Sequence, residues 1–149
     1  MGMQQILLIV LSVIIVGAAV AVGITMFSTQ AVNANRSAVL MDLNTFGAAA
    51  IAYYKTPVDQ GGGGGNFETS CDSVGYYLSN GYEATGLPAK TIKNDNGTYT
   101  LLASATTALE ITGVGTEKGR GDVLYSGKVG GKMTITPANA DPLALSATN

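Results

Sequence analysis

Histidine and tryptophan are absent from this chain of 149 residues, and Cys71 is its only cysteine. A single cysteine cannot form an intramolecular disulfide, and without histidine or a second thiol the usual zinc ligand sets cannot be assembled. The lack of histidine also removes the most common base for activating a nucleophile. We therefore expect no enzymatic activity, no metal and no cofactor, and we interpret Cys71 as a small packed residue.

Charged side chains are scarce and unevenly distributed. Only 12% of the residues are charged and the net charge is −2, whereas about 25% of residues are charged in typical soluble domains. This composition offers no basic surface that would attract nucleic acid, so no nucleic-acid partner is expected. The first charged side chain is that of Arg36, so the segment before it carries no charged side chain at all.

An apolar segment fills most of this uncharged region. Residues 6–27 read ILLIVLSVIIVGAAVAVGITMF, in which Ser12 and Thr25 are the only polar side chains. As a helix these residues would extend about 33 Å, which matches the hydrocarbon thickness of a bilayer. The many leucine, isoleucine and valine side chains make insertion into a membrane favourable. The segment is therefore predicted to be a membrane-competent helix.

Three interpretations of residues 6–27 are open: a secretory signal peptide, a single-pass anchor, and a helix that moves from the membrane into a protein core. A signal peptide is disfavoured because no Lys or Arg precedes the apolar run, which is also longer than usual for such peptides. Gly17 with Ala21, and Ala19 with Gly23, have small-xxx-small spacing, which lets helix backbones approach closely. This pattern favours the third interpretation, since a simple anchor does not need it.

The helical pattern continues beyond the apolar segment. Apolar residues recur with the period of one helical face at Val32, Val39, Leu43, Phe46, Ala50, and Tyr53 or Tyr54. Pro57 disfavours helix at Thr56, so the helix should end near Lys55. The sequence predicts one helix from about residue 3 to 55, roughly 80 Å long, apolar throughout its first half and amphipathic in its second. Residues 1–56 are accordingly assigned to an assembly or transmembrane helix.

Residues 57–149 are predicted to form an outer, β-rich domain. The five glycines at residues 61–65 predict a flexible surface loop, with a packed turn as the alternative. A short helix is predicted near residues 72–78. Residues 91–93 and 99–102 predict a hairpin closed by Asn96-Gly97.

Further strands are predicted in the second half of this domain, at residues 109–114, 123–125 and 132–136, with a turn at residues 116–121. The tail from residue 140 is predicted to be extended or an edge strand. Four or five short strands in an antiparallel meander would pack one face on the amphipathic half of the helix. The predicted fold class is therefore α+β, a long N-terminal helix on a small antiparallel sheet.

The N-terminus resembles mature type IV pilins, because MGMQQILLIVLSVIIVGAAVAVGI stands where that family has its apolar assembly helix. Gln5 stands where the family usually has Glu as the single polar residue before an unbroken apolar run. The resemblance implies that Met1 is the N-methylated residue exposed by a prepilin peptidase; if Met1-Gly2 is a very short leader, Met3 is the mature start. Gln5 would accept a hydrogen bond from a neighbour's terminal amine. The Pro common in the family's early twenties is missing, and archaeal filament subunits lack it too.

The resemblance implies a structural subunit of an extracellular helical filament at the cell surface, built from identical subunits. Each subunit would wait in the inner membrane until an assembly motor extracts it. The residues assigned to assembly are Met1, Gln5, Ile6, Leu7, Ile9, Val10, Val13, Ile14, Gly17, Ala21, Gly23 and Phe27. The alternatives are a minor pilin or pseudopilin of a secretion or DNA-uptake system, and a single-pass membrane-anchored envelope protein. Asn35 and Asn96 begin N-glycosylation acceptor patterns and are possible modification sites.

Overall fold

The computed structural model describes residues 2–67, 71–79, 83–85, 90–119, 127–137 and 143–148. In chain order its elements are α1 (Met3–Lys55), a 3₁₀ turn (Val58–Gln60), α2 (Asp72–Ser79), β1 (Glu83–Thr85), β2 (Lys90–Lys93), β3 (Gly97–Ala105), β4 (Ala108–Lys118), β5 (Lys128–Ile135) and β6 (Leu143–Thr148). The fold is the predicted α+β arrangement, in which α1, a single helix of 53 residues, packs on an antiparallel sheet.

The long helix ends where the sequence indicates. Thr56 adopts an extended conformation with φ −77° and ψ 133°, as expected for a residue that precedes proline. Its backbone N–H still donates hydrogen bonds to the carbonyl oxygens of Ala52 and Tyr53. The predicted short helix is also confirmed as α2, and Cys71 just before it is fully buried.

The sheet is a meander of six strands in the order β1-β2-β3-β4-β5-β6, each antiparallel to the next. The predicted hairpin is confirmed as β2 and β3, and the predicted C-terminal edge strand as β6. β1 was not predicted, because Glu-Ala-Thr is too short to show an alternating pattern. The strand predicted at residues 123–125 lies outside the described residues.

One predicted turn begins too early. The expected turn at residues 116–121 is wrong for its first part, because β4 continues to Lys118, which pairs with Lys128 of β5. The register between β4 and β5 shifts between Val114 and Lys118, so the pairing resumes after an irregularity. The polar Thr-Glu-Lys sequence suits a turn by composition, but here the strand pairing overrides it.

The predicted stripe on the second half of α1 forms one wall of the core. Val39, Leu43, Phe46, Ala50 and Tyr53 are buried as predicted, whereas Val32 is only half-buried. The facing residues of the sheet are Ile92, Tyr99, Leu101, Leu109, Ile111, Met133 and Ile135. The amphipathic half of α1 is therefore fixed to the domain by hydrophobic burial on both sides of the interface.

Glycines in the sheet let the helix come close. A Cβ atom added to Gly131 of β5 would lie 2.9 Å from Cδ1 of Leu43. A Cβ atom added to Gly113 of β4 would lie 3.0 Å from Cε1 of Tyr99 and 3.1 Å from Cγ1 of Val39. At both positions the space of a side chain is occupied by the helix or by its packing partners, so glycine is required for the observed distance between helix and sheet.

The five glycines at residues 61–65 form the packed turn that the sequence left as the alternative, rather than a free surface loop. The backbone N–H groups of Gly63 and Gly65 donate to the carbonyl oxygens of Tyr53 and Tyr54, both at 2.8 Å. Three of the five have positive φ, between 56° and 86°, which glycine adopts without a steric penalty. The turn thus provides hydrogen-bond donors to carbonyls in the last turn of α1.

Candidate assembly surface

The first half of α1 extends beyond the sheet with its apolar side chains uncovered. The large apolar side chains in residues 6–27 are 50–77% exposed, and none of the most apolar 18-residue stretch is buried inside the protein. By length and composition α1 can cross a membrane. Apolar surface of this extent is unfavourable in water, so lipid or protein must cover it.

The predicted assembly residues lie along this half of the helix and do not converge on one point. The exposed members are Gln5, Ile6, Leu7, Ile9, Val10, Val13, Ile14, Gly17, Ala21, Gly23 and Phe27. They are distributed around the helix, so its whole circumference is available for contact. Met1 lies outside the described residues.

Gly17 and Gly23 have no visible role within the chain. A Cβ atom added to either would meet no other atom of the described residues within 4 Å. Glycine in a helix interior costs about 1 kcal/mol relative to alanine. Among the described residues nothing offsets this penalty, in contrast to Gly113 and Gly131, which make room for the helix.

The polar side chains of the apolar half are satisfied locally. The hydroxyl of Ser12 donates to the carbonyl oxygen of Ile9 at 2.7 Å, and that of Thr25 to the carbonyl oxygen of Val22 at 2.8 Å. Such bonds within the helix lower the cost of placing a hydroxyl in an apolar environment. The two residues therefore do not prevent the segment from being covered by lipid or by other helices.

A polar cluster, which sequence reasoning missed, fixes α1 to the β2–β3 turn. Oδ2 of Asp42 accepts hydrogen bonds from the Tyr99 hydroxyl at 2.6 Å, from Nδ2 of Asn94 at 2.8 Å and from Nδ2 of Asn96 at 2.9 Å. Oδ1 of Asn94 accepts from the backbone N–H groups of Asn96 and Gly97. We call Asp42, Asn94, Asn96 and Tyr99 the Asp42 cluster. It orients the helix, and hence the exposed half, relative to the sheet.

The electrostatics of the cluster favour a charged Asp42 beside a neutral Tyr99. Burial raises the pKa of Asp42, but the hydrogen bonds from Tyr99, Asn96 and Asn94 together hold that pKa below its ordinary value. Burial, the hydrogen bond to Asp42 and the negative charge of that carboxylate raise the pKa of Tyr99 far above its ordinary value. The phenol therefore remains a hydrogen-bond donor to the carboxylate at neutral pH.

The Asp42 cluster predicts a pH-dependent stability. The lowered pKa of Asp42 means that its stabilisation is present above the unfolded-state pKa and is lost as the pH falls through the folded-state pKa. At about pH 7 we expect Asp42→Asn to lower the free energy of unfolding by about 1–2 kcal/mol, because charge-assisted bonds become neutral ones. At an acidic pH well below the ordinary aspartate pKa of about 3.9, the difference should narrow as the unmodified carboxylate is protonated.

Chemical denaturation of the full chain in detergent micelles at both pH values would measure this effect. Asp59→Asn is the matched control, because Asp59 is an exposed carboxylate on the 3₁₀ turn, away from the cluster. The free energy of unfolding of Asp59→Asn should differ little from that of the unmodified chain at either pH. If Asp42→Asn lowered the free energy of unfolding equally at both pH values, the stabilisation could not be ascribed to the charged form of Asp42.

The two predicted glycosylation asparagines lie side by side at this junction. Nδ2 of Asn35 donates to the carbonyl oxygen of Asn96 at 2.9 Å, while Nδ2 of Asn96 donates to Asp42. A glycan is attached to this same amide nitrogen, so modification of either residue would disturb these contacts. Glycosylation remains a prediction, and a modified Asn96 would alter the Asp42 cluster directly.

Within the described ranges, no three Cys, Asp or Glu side chains lie close enough together to hold a metal ion. No protein-family model, curated protein or solved structure matches this chain. The exposed apolar half of α1 is therefore the feature of the fold from which a function can be argued.

Proposed function

We propose that this protein is the structural subunit of an extracellular helical filament of the type IV pilus kind, assembled through the apolar half of α1. One observation carries the proposal: a single continuous helix is buried against its own domain in one half and uncovered in the other. An uncovered half joined to the domain without a hinge loop would carry that domain to a defined position around a filament core.

The arrangement supports assembly in two stages. In the first, residues 6–27 lie in the membrane and the sheet domain lies outside. In the second, a motor extracts the subunit and the same helix is covered by the helices of identical subunits. Lipid contacts are then exchanged for helix–helix contacts, so the apolar surface does not meet water. A contact between unlike surfaces of identical subunits does not close on itself and generates a helical polymer.

Two further features support helix–helix contacts rather than a simple anchor. The glycines at positions 17 and 23 have no packing role within the described protein, and their spacing with alanines allows close approach of another helix. The Asp42 cluster holds the helix to the domain, so the packing of the helix in a filament core would also fix the orientation of the sheet. An anchor on a flexible tether would need neither feature.

Electron microscopy of material sheared from cells, with mass spectrometry of its subunit, tests the proposal. We expect filaments about 5–10 nm wide, the scale of a helical core wrapped by small domains, containing this chain as the main component. The mass of the N-terminal peptide would distinguish Met1 from Met3 as the mature start and report methylation. A trace amount in filaments of another protein would indicate a minor pilin, and recovery only from detergent-extracted membranes would indicate an anchored protein.

A further inference from the structure

A groove with both polar and apolar lining residues, the latter including Val32 and Val129, opens between α1 and the sheet just beyond the apolar segment. It encloses about 420 Å³. Its polar and charged lining consists of Ser28, Thr29, Asn33 and Arg36 on α1 and Lys118 at the end of β4. The groove therefore combines two cationic side chains with hydroxyl and amide groups, and among the described residues that line it none is acidic.

Arg36 supplies an independent sign that the groove is incomplete. Its Nε atom is buried but has no hydrogen-bond partner among the described residues. A buried donor without an acceptor is unfavourable, and such groups in folded proteins usually indicate a missing partner. Lys118, the second cation of the groove, has an exposed side chain. The missing partner is thus expected to be an anionic acceptor, and guanidinium groups match phosphate oxygens in geometry and charge.

The position of the groove along α1 indicates which molecule supplies that anion. Ser28 directly follows the apolar segment, and Arg36 lies about 12 Å further along the helix at about 1.5 Å per residue. Helical side chains point back towards the N-terminus, so the Arg36 side chain is directed towards the membrane. The headgroup layer extends roughly 5–7 Å beyond the hydrocarbon core. The groove therefore begins within the headgroup layer at Ser28 when the apolar segment spans a bilayer, and the Arg36 side chain extends back towards that layer from above it.

We propose that this groove binds the phosphate of an anionic phospholipid while the subunit waits in the membrane. Arg36 and Lys118 pair with the phosphate, and Ser28 and Asn33 offer further hydrogen bonds. The inference rests on the membrane-inserted stage of the proposed function. A lipid is favoured over an acidic side chain of a neighbouring subunit because the continuous helix fixes the groove beside the headgroups.

Lipid retention by the full-length chain tests the inference. The protein is reconstituted into phosphatidylcholine vesicles containing a minor fraction of phosphatidylglycerol and is then released with mild detergent. Native mass spectrometry identifies the lipids that remain bound to it. The unmodified chain should retain phosphatidylglycerol in preference to phosphatidylcholine. Arg36→Gln and Lys118→Gln should each lower that preference about fivefold, the effect of removing one cation near an anionic lipid surface. Lys55→Gln, which removes a lysine at the opposite end of the amphipathic half, should leave it unchanged.

The possible outcomes separate this inference from the proposed function. Failure of the chain to insert into pure phosphatidylcholine vesicles would overturn both. Insertion with an equal lipid preference in the unmodified chain and in both groove variants would overturn the inference alone. Loss of the preference on adding inorganic phosphate would show that the groove takes free anions instead. Variants that lose filaments but keep the lipid preference would identify a neighbouring subunit as the partner, again against the inference.

Discussion

Filaments are expected to disappear when Gly17 and Ala21 are both replaced by leucine. Both positions lie on the uncovered half of α1, and a Cβ atom at Gly17 meets no other described atom within 4 Å. The added side chains would therefore leave the protomer undisturbed but would hold a neighbouring helix away. A loss of about 1.4 kcal/mol of binding free energy lowers the association constant of one subunit contact about tenfold. The same contact is repeated for every subunit that is added to the filament. We expect filament yield, counted on sheared material, to fall about tenfold or more.

The Gly17→Ala, Ala21→Ser double variant is the matched control, because it changes the same positions but keeps both side chains small. It should form filaments at close to the normal yield. Leucine is more apolar than the residues it replaces and is a better helix former than glycine, so membrane levels of the leucine variant should be unchanged. A normal filament yield from the leucine variant would show that no neighbouring helix packs closely at Gly17 and Ala21. A lower amount of the variant in the membrane would indicate a folding or insertion defect instead.

Most of the fold could be predicted because it depends on local patterns. The spacing of Val39, Leu43 and Phe46 identified the buried face of α1, and Asn96-Gly97 identified the hairpin between β2 and β3. The uncovered half of α1 also follows from composition alone, since a long uncharged apolar run has no polar face to turn towards water. These features can be predicted without knowing which residues lie beside them in the folded protein.

The features that were missed depend on residues far apart in the sequence. Asp42 and Tyr99 are separated by 57 positions, so no local sequence pattern indicates that they are hydrogen-bonded. The glycine run at residues 61–65 has the composition of a linker, and only its bonds to the end of α1 reveal a packed turn. The role of Gly113 also depends on distant residues, because only the packing of Tyr99 and Val39 against it shows why this strand position lacks a side chain.

Gly113→Val is expected to destabilise the sheet domain strongly. Valine has a high strand propensity, so the local preference of β4 would improve. Its side chain would nevertheless occupy space already filled by the Tyr99 ring and Val39, where even a Cβ atom would lie only 3.0–3.1 Å away. Displacement of the ring would also lengthen the hydrogen bond to Asp42. Overpacking and the weakened bond together should lower the free energy of unfolding by about 3 kcal/mol.

The measurement is chemical denaturation of the full chain in detergent micelles, followed by circular dichroism. Thr112→Val is the matched control, because it places valine at the neighbouring position of β4, which points away from α1 and pairs with Thr100 and Lys132. That change should alter stability by less than about 0.5 kcal/mol. If Gly113→Val were tolerated equally well, the close approach of α1 to the sheet would not depend on glycine. If both variants were equally damaging, β4 would be sensitive to valine in general rather than to contact with the helix.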